Sequence, residues 1–576
     1  MLHSAVELPH FNEWRSDESC PNCPHDSERV LQSVCSVTAR SLSAVLMMWA
    51  ATTATGQAPS SPSSTSGIVH FTNSGSPAAQ GAFLEGLADL HNFEYDGAAT
   101  QFQQAQKTDP SFAMAYWGEA MTYTHPVWAE QDRDKAVAAL ARLGATPQAR
   151  IEKARTDREK DYMRAVEALY SGGDKASRDF AFADRMAELY TKYPDDVDAA
   201  AFYALALLGT AHEGRDFAIY MRAAAILEPL FPSNPNHPGV AHYLIHSYDD
   251  PIHARLGLRA ARAYSKIAPA SAHAQHMCSH IFVAMGMWDD VVTANEAAIR
   301  IVNGFRARLG RGPAALGHIA AWLEYGYLQQ GRVKAAKKMV SDAHALASRA
   351  ASTQPRKAIL DPDNSADGSY AAMRSRYLFD TEDWSGEVLE WRIPRGHAEV
   401  DITMDFADGY AAARTGKIND AKIALERVRR DKEALALTLK EQPERSYSSR
   451  IEVLEQQLAA MILEAQGQAR QAVEVLRAAA ATEENLPFEF GPPLIEKPSY
   501  ELMGEVLLRM NDAEGARAVF EKALARTPGR TTALAGLMRA AEKLGDGQKA
   551  AEIRTKLQAI WHRADRPMSP ELRQED

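Results

Sequence analysis

Seven of the 18 histidines in this 576-residue chain lie between His237 and His280. Their spacing says more than their number. His242 and His246 are four residues apart, as are His276 and His280, and the two pairs are offset by 276 − 242 = 34 and 280 − 246 = 34. Four residues of helix turn the chain by about 40° and advance it about 6 Å, so each pair can offer two ring nitrogens to one ion. His273 lies three residues before His276 and seven before His280, which keeps all three within an arc of about 60° on one helix. Neighbouring helix axes are roughly 8–10 Å apart, a gap that inward-pointing imidazoles and an ion can bridge at Zn–N distances near 2 Å. The expected ligand set is His242, His246, His273, His276 and His280, and zinc or copper are the ions expected there. The competing readings are histidines that pack, bond carbonyls or face water, and a polar groove that binds a peptide. Several imidazoles in one space repel one another once protonated, so the patch is also a candidate pH-sensitive element.

An offset of 34 residues is a repeat length, and the rest of the chain carries it. Tyr500, Gly504, Ala516, Phe520, Ala523 and Pro528 occupy the fourth, eighth, twentieth, twenty-fourth, twenty-seventh and thirty-second places of one 34-residue unit, which is the tetratricopeptide pattern. The next unit begins at Thr531, with Gly545 and Ala550 at the turn and small-residue places, and 550 − 516 = 34 holds the register. Gly86, Ala98, Phe102, Ala105 and Pro110 repeat the pattern from about Ala79, and Tyr116 begins the next match. Gly331 with Ala336, Gly416 with Ala421, and Gly467 with Ala472 mark further helix pairs. The glycine ends the first helix of each pair, and the alanine admits the second at close range. Alternating Val, Ile and Thr are scarce, and no convincing sheet is expected. Residues 129 to 194 interrupt the period with longer helices, and residues 348 to 400 with a Pro- and Gly-containing stretch around a helical patch near Tyr370 to Asp380. The expected fold is all-α, a right-handed tetratricopeptide-type superhelical solenoid with irregular insertions.

Placing Pro269 at the thirty-second position starts a unit at Pro238, so His242 and His246 take its fifth and ninth places, and His276 and His280 the same places next door. In tetratricopeptide folds these positions face the concave groove. Weaker groove candidates are His91 and His125, also 34 apart at helix ends, where capping is the alternative; Trp117 and Trp128, which could line a pocket or pack; and Asp249, which could serve the cluster as ligand or base or stand on a solvated face. His212 precedes His246 by 34, but the register set by Pro194 puts it in a turn. Cys278 is a soft sulfur beside imidazoles, yet its seventh position predicts a core-facing side chain.

The segments Leu90-His-Asn-Phe-Glu-Tyr-Asp-Gly-Ala98, Ala113-Met-Ala-Tyr-Trp-Gly118, His242-Tyr-Leu-Ile-His246, His273-Ala-Gln-His-Met-Cys-Ser-His-Ile-Phe282 and Leu486-Pro-Phe-Glu-Phe-Gly-Pro-Pro493 resemble a bacterial family of exported or cytosolic tetratricopeptide proteins. The resemblance spans nearly the whole chain beyond its N-terminal segment. It implies the solenoid and makes the histidine segment a family signature, but it supplies no reaction. Cys278 stands where the family pattern has proline.

Charge and composition narrow the partners. A formal charge of -11 argues against a general electrostatic hold on nucleic acid or anionic lipid. The four cysteines, Cys20, Cys23, Cys35 and Cys278, give the repeat body no disulfide framework, and Cys20-Pro-Asn-Cys23-Pro-His25 lacks both a second ligand pair and the haem-attachment pattern. Leu42 to Ala50 is an apolar run after Arg40, too short to span a bilayer comfortably, with small residues at Gly56 and Ala58. It reads as a secretory signal cleaved after Ala58, with a buried helix or uncleaved anchor as the alternative. The expected organisation is an extension and signal over 1–58, a Ser/Pro linker over 59–77, an N-terminal repeat block with the histidines over 78–347, an irregular segment over 348–400 and a C-terminal repeat block over 401–576. The expected location is periplasmic or secreted, with the cytoplasm as alternative, and no stable membrane insertion of the mature chain. No phosphate loop or Gly-x-Ser-x-Gly elbow is present, and His242-Tyr-Leu-Ile-His246 lacks the glutamate of zinc peptidases. The preferred reading is an exported scaffold that binds a protein or peptide in its groove and holds a metal. The alternative is a metal-dependent enzyme, disfavoured at this point because no carboxylate base is assured.

Overall fold

The computed structural model describes residues 65–353, 365–439, 445–488 and 491–565. Helices of good intrinsic formers follow one another in antiparallel pairs, as the repeat requires. The first run is α1 (Gln80–His91), α2 (Tyr95–Thr108), α3 (Ala113–Met121), α4 (Arg133–Leu143), α5 (Pro147–Lys153), α6 (Asp157–Leu169), α7 (Lys175–Lys192), α8 (Val197–Leu208) and α9 (Phe217–Leu227). The central run is α10 (Pro238–Tyr248), α11 (Ala254–Ile267), α12 (Ala272–Ala284), α13 (Trp288–Arg308), α14 (His318–Gln329), α15 (Val333–Thr353) and α16 (Ala366–Thr381). The last run is α17 (Ala398–Arg414), α18 (Ile418–Leu439), α19 (Arg445–Ala465), α20 (Ala469–Glu484), α21 (Ser499–Arg509), α22 (Ala513–Arg526), α23 (Thr531–Lys543) and α24 (Gly547–Ile560). The protein is an all-α solenoid of tetratricopeptide type. One small departure from the expected absence of strands is the antiparallel bridge of β1 (Thr124–His125) with β2 (Glu130–Gln131).

The repeat signals do what their chemistry demands. Gly331, Gly416, Gly467 and Gly545 have φ of 67°, 76°, 80° and 75°, the left-handed conformation that ends a helix without a Cβ penalty. Ala336, Ala421, Ala472 and Ala516 are fully buried, at the close approach of the second helix. Phe520 on α22 lies between Gly504 on α21 and Gly536 on α23, just as Phe102 on α2 lies between Gly86 and Gly118 on α1 and α3. A Cβ at Gly536 would run into the Phe520 ring, which has no exposed surface. Gly536→Ala should therefore cost about 1–3 kcal/mol through overpacking, read as a lower denaturant midpoint with an unchanged slope.

The solenoid turns back on itself, and this positions the histidines. The end of α1 meets α8 and α10, where His91 bonds Asp198 and Tyr243. At the other side the C-terminal units back α14 and α16. The Trp288 Nε1–H donates to the Gly529 carbonyl (2.8 Å), and Arg530 reaches Asp380 (2.6 Å) and Glu501 (2.7 Å). Of the 59–77 stretch expected as a linker, Val69 and Phe71 are buried, with Phe71 packed on Phe83, Trp117 and Tyr162. The extension and signal over 1–58 lie outside the described residues. Among the described residues no helix is long and apolar enough to cross a membrane.

Candidate metal centre

Three consecutive inner helices supply the centre. Pro238 in the first turn and His237, whose Nδ1 accepts the Val240 N–H (3.3 Å), start α10. Ser271 caps α12 by accepting the Ala274 N–H (3.0 Å), and its hydroxyl donates to Glu94 (2.7 Å), tying α12 to the α1–α2 turn. Gly317, with φ of 92°, turns the chain into α14 so that His318 is its first residue.

The five expected histidines do converge, but as two groups and with a sixth member. His242 and His246 of α10 meet His273 of α12, and His276 and His280 of α12 meet His318 of α14. In each triad one ligand atom per residue lies within 4.8 Å of the other two. A third grouping, His246 with Asp249 and His280, joins the triads. The five histidines expected as one cluster thus divide, with His318, into two triads that adjoin at His246, Asp249 and His280.

The groove expectation is corrected as well. His242, His246, His276 and His280 are 0–2% exposed, and only His273 and His318 retain partial exposure. Phe93, held at φ of 57° just beyond α1, packs edge-on against His242 (4.3 Å), and Tyr264 stacks on its other side (5.1 Å). Trp322 stacks on His280 (4.5 Å). The chain before α2 and the turn after α3 fold over the inner helices, so the concave face is covered at this level.

Hydrogen bonds fix how the rings point. The Nδ1–H of His242 donates to the His91 carbonyl (2.6 Å). That of His276 donates to Asn295 Oδ1 (2.7 Å), whose amide is oriented by donating in turn to the Val291 carbonyl (2.9 Å). That of His280 donates to Asp249 Oδ2 (3.0 Å), and His246 Nδ1 lies 3.7 Å from the same oxygen. With Nδ1 carrying the proton, Nε2 holds a lone pair. Yet His242 Nε2 and His273 Nε2 are 3.2 Å apart, and His276 Nε2 and His280 Nε2 are 3.3 Å apart. In the second pair both partners have Nδ1 pinned to an acceptor, so two lone pairs face each other with no proton between them.

Electrostatics keep these rings neutral. Burial, reinforced by neighbouring imidazoles, holds His242, His273 and His276 well below the ordinary histidine range. It lowers His280 and His318 to about 3, in the first case against the pull of Asp249. Asp249 is itself held far below the usual carboxylate range: burial opposes this, but Arg215 and the two histidines outweigh it. Arg215 also bonds Asp250 (3.2 Å) and the carbonyls of His246 and Ser247. The solvated-face alternative for Asp249 is therefore overturned: it is buried, charge-paired and directed at the two triads.

The weaker candidates separate. His91 is wholly buried and lies outside both triads, bonding Asp198 (2.9 Å) and Tyr243 (3.0 Å) instead of capping α1. With Asp198 and His237 it forms a further three-residue group close enough to hold a cation. His125 stacks on Tyr95 (4.0 Å), and its Nε2 approaches the Thr122 carbonyl at the end of α3 (3.3 Å), in keeping with the capping role. Trp117 is a core residue, crossing Tyr162 and Phe202 edge-on. Trp128 is 38% exposed, with its ring 6.1 Å from His273 and 6.5 Å from His246. His212 lies in a turn and bonds Asp179 (2.8 Å). Cys278 is buried, and its thiol, pushed up to about 12 mainly by burial, donates to the Ala274 carbonyl. It offers no sulfur to either triad.

Sequence reasoning did not include His318 or Asn295. His318 did carry a signal. Gly331 is the fifteenth residue of a unit that starts at 317, as Gly545 is of the unit at 531, and this gives His318 the second position that His273 holds in its own unit.

Ligand-directing partners of this sort typically change metal affinity 10–100-fold when removed. Asn295→Leu should thus weaken zinc binding by about that factor at unchanged helicity, as competition with a chromophoric chelator would measure.

An all-helical repeat solenoid whose inner helices enclose paired histidine triads is the class that fold and site define. No protein-family model matches the chain. No curated protein matches it by sequence. Solved structures similar to it include the human IFIT1 dimer with m7Gppp-AAAA, at 11% identity over 84% of this chain and 90% of that one, with a TM-score of 0.27. The APC/C hetero-tetramer Cut9–Hcn1 is similar at 10% identity over 86% and 95% of the two chains, also with a TM-score of 0.27.

Proposed function

We propose that this protein binds two transition ions side by side, one in His242–His246–His273 and one in His276–His280–His318, and that they form a reaction centre rather than a structural clip. The observation that carries the reading is the facing of the His276 and His280 Nε2 lone pairs at 3.3 Å, beside a 3.2 Å approach of the His242 and His273 Nε2 atoms. Two nitrogens on one zinc at about 2.0–2.1 Å and a tetrahedral angle lie roughly 3.3–3.4 Å apart. Two neutral imidazoles with both Nδ1 atoms protonated have no such reason to meet. The Nδ1 partners, a backbone carbonyl, an amide oxygen and a carboxylate, are those that metal-bound histidines use.

Three protein nitrogens leave a tetrahedral ion one open position, the mark of catalytic sites, whereas structural sites are closed by four. Bound there, zinc or copper would polarise or activate a small ligand. The chain's own part is to keep His242, His273, His276, His280 and His318 neutral, to fix the direction of the rings and to shield the site with Phe93, Tyr264 and Trp322. Asp249 accepts from His280 Nδ1 and so orients that ring; paired with Arg215, it is a positioning carboxylate and not a base. The open position on each three-nitrogen ion is what favours the metal-dependent enzyme over the metal-bearing scaffold.

Groove binding of a peptide keeps separate support. A cleft open to solvent is lined by Trp288, Tyr325, Pro487, Phe488 and Pro493 and reaches Asp249. Export of the mature chain belongs to the same proposal and would place the centre where free copper and zinc are exchanged. Calorimetric titration of chelator-treated protein with zinc tests the metal reading: two equivalents should bind, and absence of binding by both zinc and copper would sink it.

A further inference from the structure

Among the described residues the buried arginines are matched by acids or, for Arg178, by the Leu169 and Gly173 carbonyls and Gln131, except for one beside the second triad. Arg374 bonds Asp408 (2.7 Å), Arg450 bonds Glu496 (3.0 Å), and Arg530 bonds Asp380 and Glu501. Arg376, 9% exposed on α16, has Nε and Nη1 buried without any hydrogen-bond partner. Among the described residues no carboxylate forms an ion pair with it. Glu324 on α14 is its nearest counterpart in character. It has no exposed surface, and neither carboxylate oxygen has a partner.

Arg376 stands within electrostatic reach of both His318 and Glu324. The Gly317 N–H, one residue before His318, donates to Ser369 Oγ on α16 (2.9 Å). Arg376 lies seven residues, or about two turns, further along the same face of α16. It is close enough that its charge helps hold His318 low, after burial and His280, and it acts against the burial that raises Glu324. A Glu324 carboxyl held well above its usual range is a hydrogen-bond donor and supplies no compensating charge. The triads contribute no negative charge of their own, and Asp249 and Asp250 already face Arg215.

We infer that Arg376 and Glu324 form a subsite for a small carboxylate anion beside the His276–His280–His318 triad. The guanidinium fork matches a carboxylate in two parallel bonds, and the Glu324 carboxyl can donate a third. Every residue of α16 is buried, so the anion must be small. That the anion is a substrate or co-ligand of the centre rests on the metal reading. The existence of the subsite does not.

The test is calorimetric titration of the full chain with acetate, at ionic strength held constant with chloride, once after chelation and once after zinc loading. Wild-type protein should bind acetate in both states. Arg376→Met should bind it roughly 10- to 100-fold more weakly, the scale of lost charge-assisted bonds, and Arg376→Lys should fall between. Circular dichroism and zinc stoichiometry should be unchanged in both variants. Equal acetate binding by wild type and Arg376→Met, or no binding by wild type in either state, would overturn the subsite. Acetate binding that depends on Arg376 in a protein that takes up neither zinc nor copper would retain the subsite and reject the metal centre.

Discussion

Saturating zinc should raise the unfolding free energy of the full chain by about 5 kcal/mol, since each of two sites filled at 100 times its dissociation constant contributes about 2.7 kcal/mol by linkage. A chelator should remove the whole gain. The division between the triads is the sharper expectation. His242→Ala and His276→Ala should each retain about half of it, because each removes one nitrogen from a different triad. His344→Ala should retain all of it. His344 stacks on Trp391 and approaches the Arg392 carbonyl (3.3 Å), away from the triads. Thermal unfolding with and without zinc measures all four. A single shared ion would instead lose the entire gain with either histidine.

Zinc affinity of the His276–His280–His318 triad should stay nearly constant from pH 7.5 to about 5. In an ordinary three-histidine site with pKa values near 6.5, up to three protons must leave before the ion binds, so affinity falls by up to about a thousandfold per pH unit below that value. Here burial removes that dependence. His280 and His318 are lowered to about 3, and His276 is held well below the ordinary range. The second triad is therefore already deprotonated throughout that window, and binding displaces no protons from its rings. Titrations in buffers of different ionisation enthalpy should give the same heat at pH 6. A steep loss of affinity between pH 6.5 and 5.5 would show that the rings titrate like exposed ones.

Much of this was legible in the sequence because a repeat translates position into direction. The 34-residue offset between His242–His246 and His276–His280 placed both pairs on the inner faces of successive helices, and they are there. Cys278, two positions from both His276 and His280, was expected to face the core, and it is buried. What the repeat could not convey is which distant units close over the site. His91, whose carbonyl orients His242, is about 150 residues earlier in the chain, and the contact exists only because the solenoid turns back until α1 meets α10. The burial of Asp249 has the same origin, since Arg215 reaches it from the turn before α9. His318 escaped for a different reason. The 21-residue α13 and the loop up to Gly317 stretch the spacing between helices α12 and α14 beyond 34 residues, so no offset from His276 finds it. The register had to be reset at Gly331. Side-chain spacing also could not tell one cluster from two, which depends on Asp249 standing between His246 and His280 and on His318 arriving from α14.

The central claim is two ions in two triads, and anomalous scattering at the zinc edge from zinc-loaded crystals tests it most directly. The account requires two peaks, one within about 2.0–2.1 Å of nitrogens of His242, His246 and His273 and one equally close to nitrogens of His276, His280 and His318. A map with no peak among these six rings, or with a single peak shared between them, would contradict it.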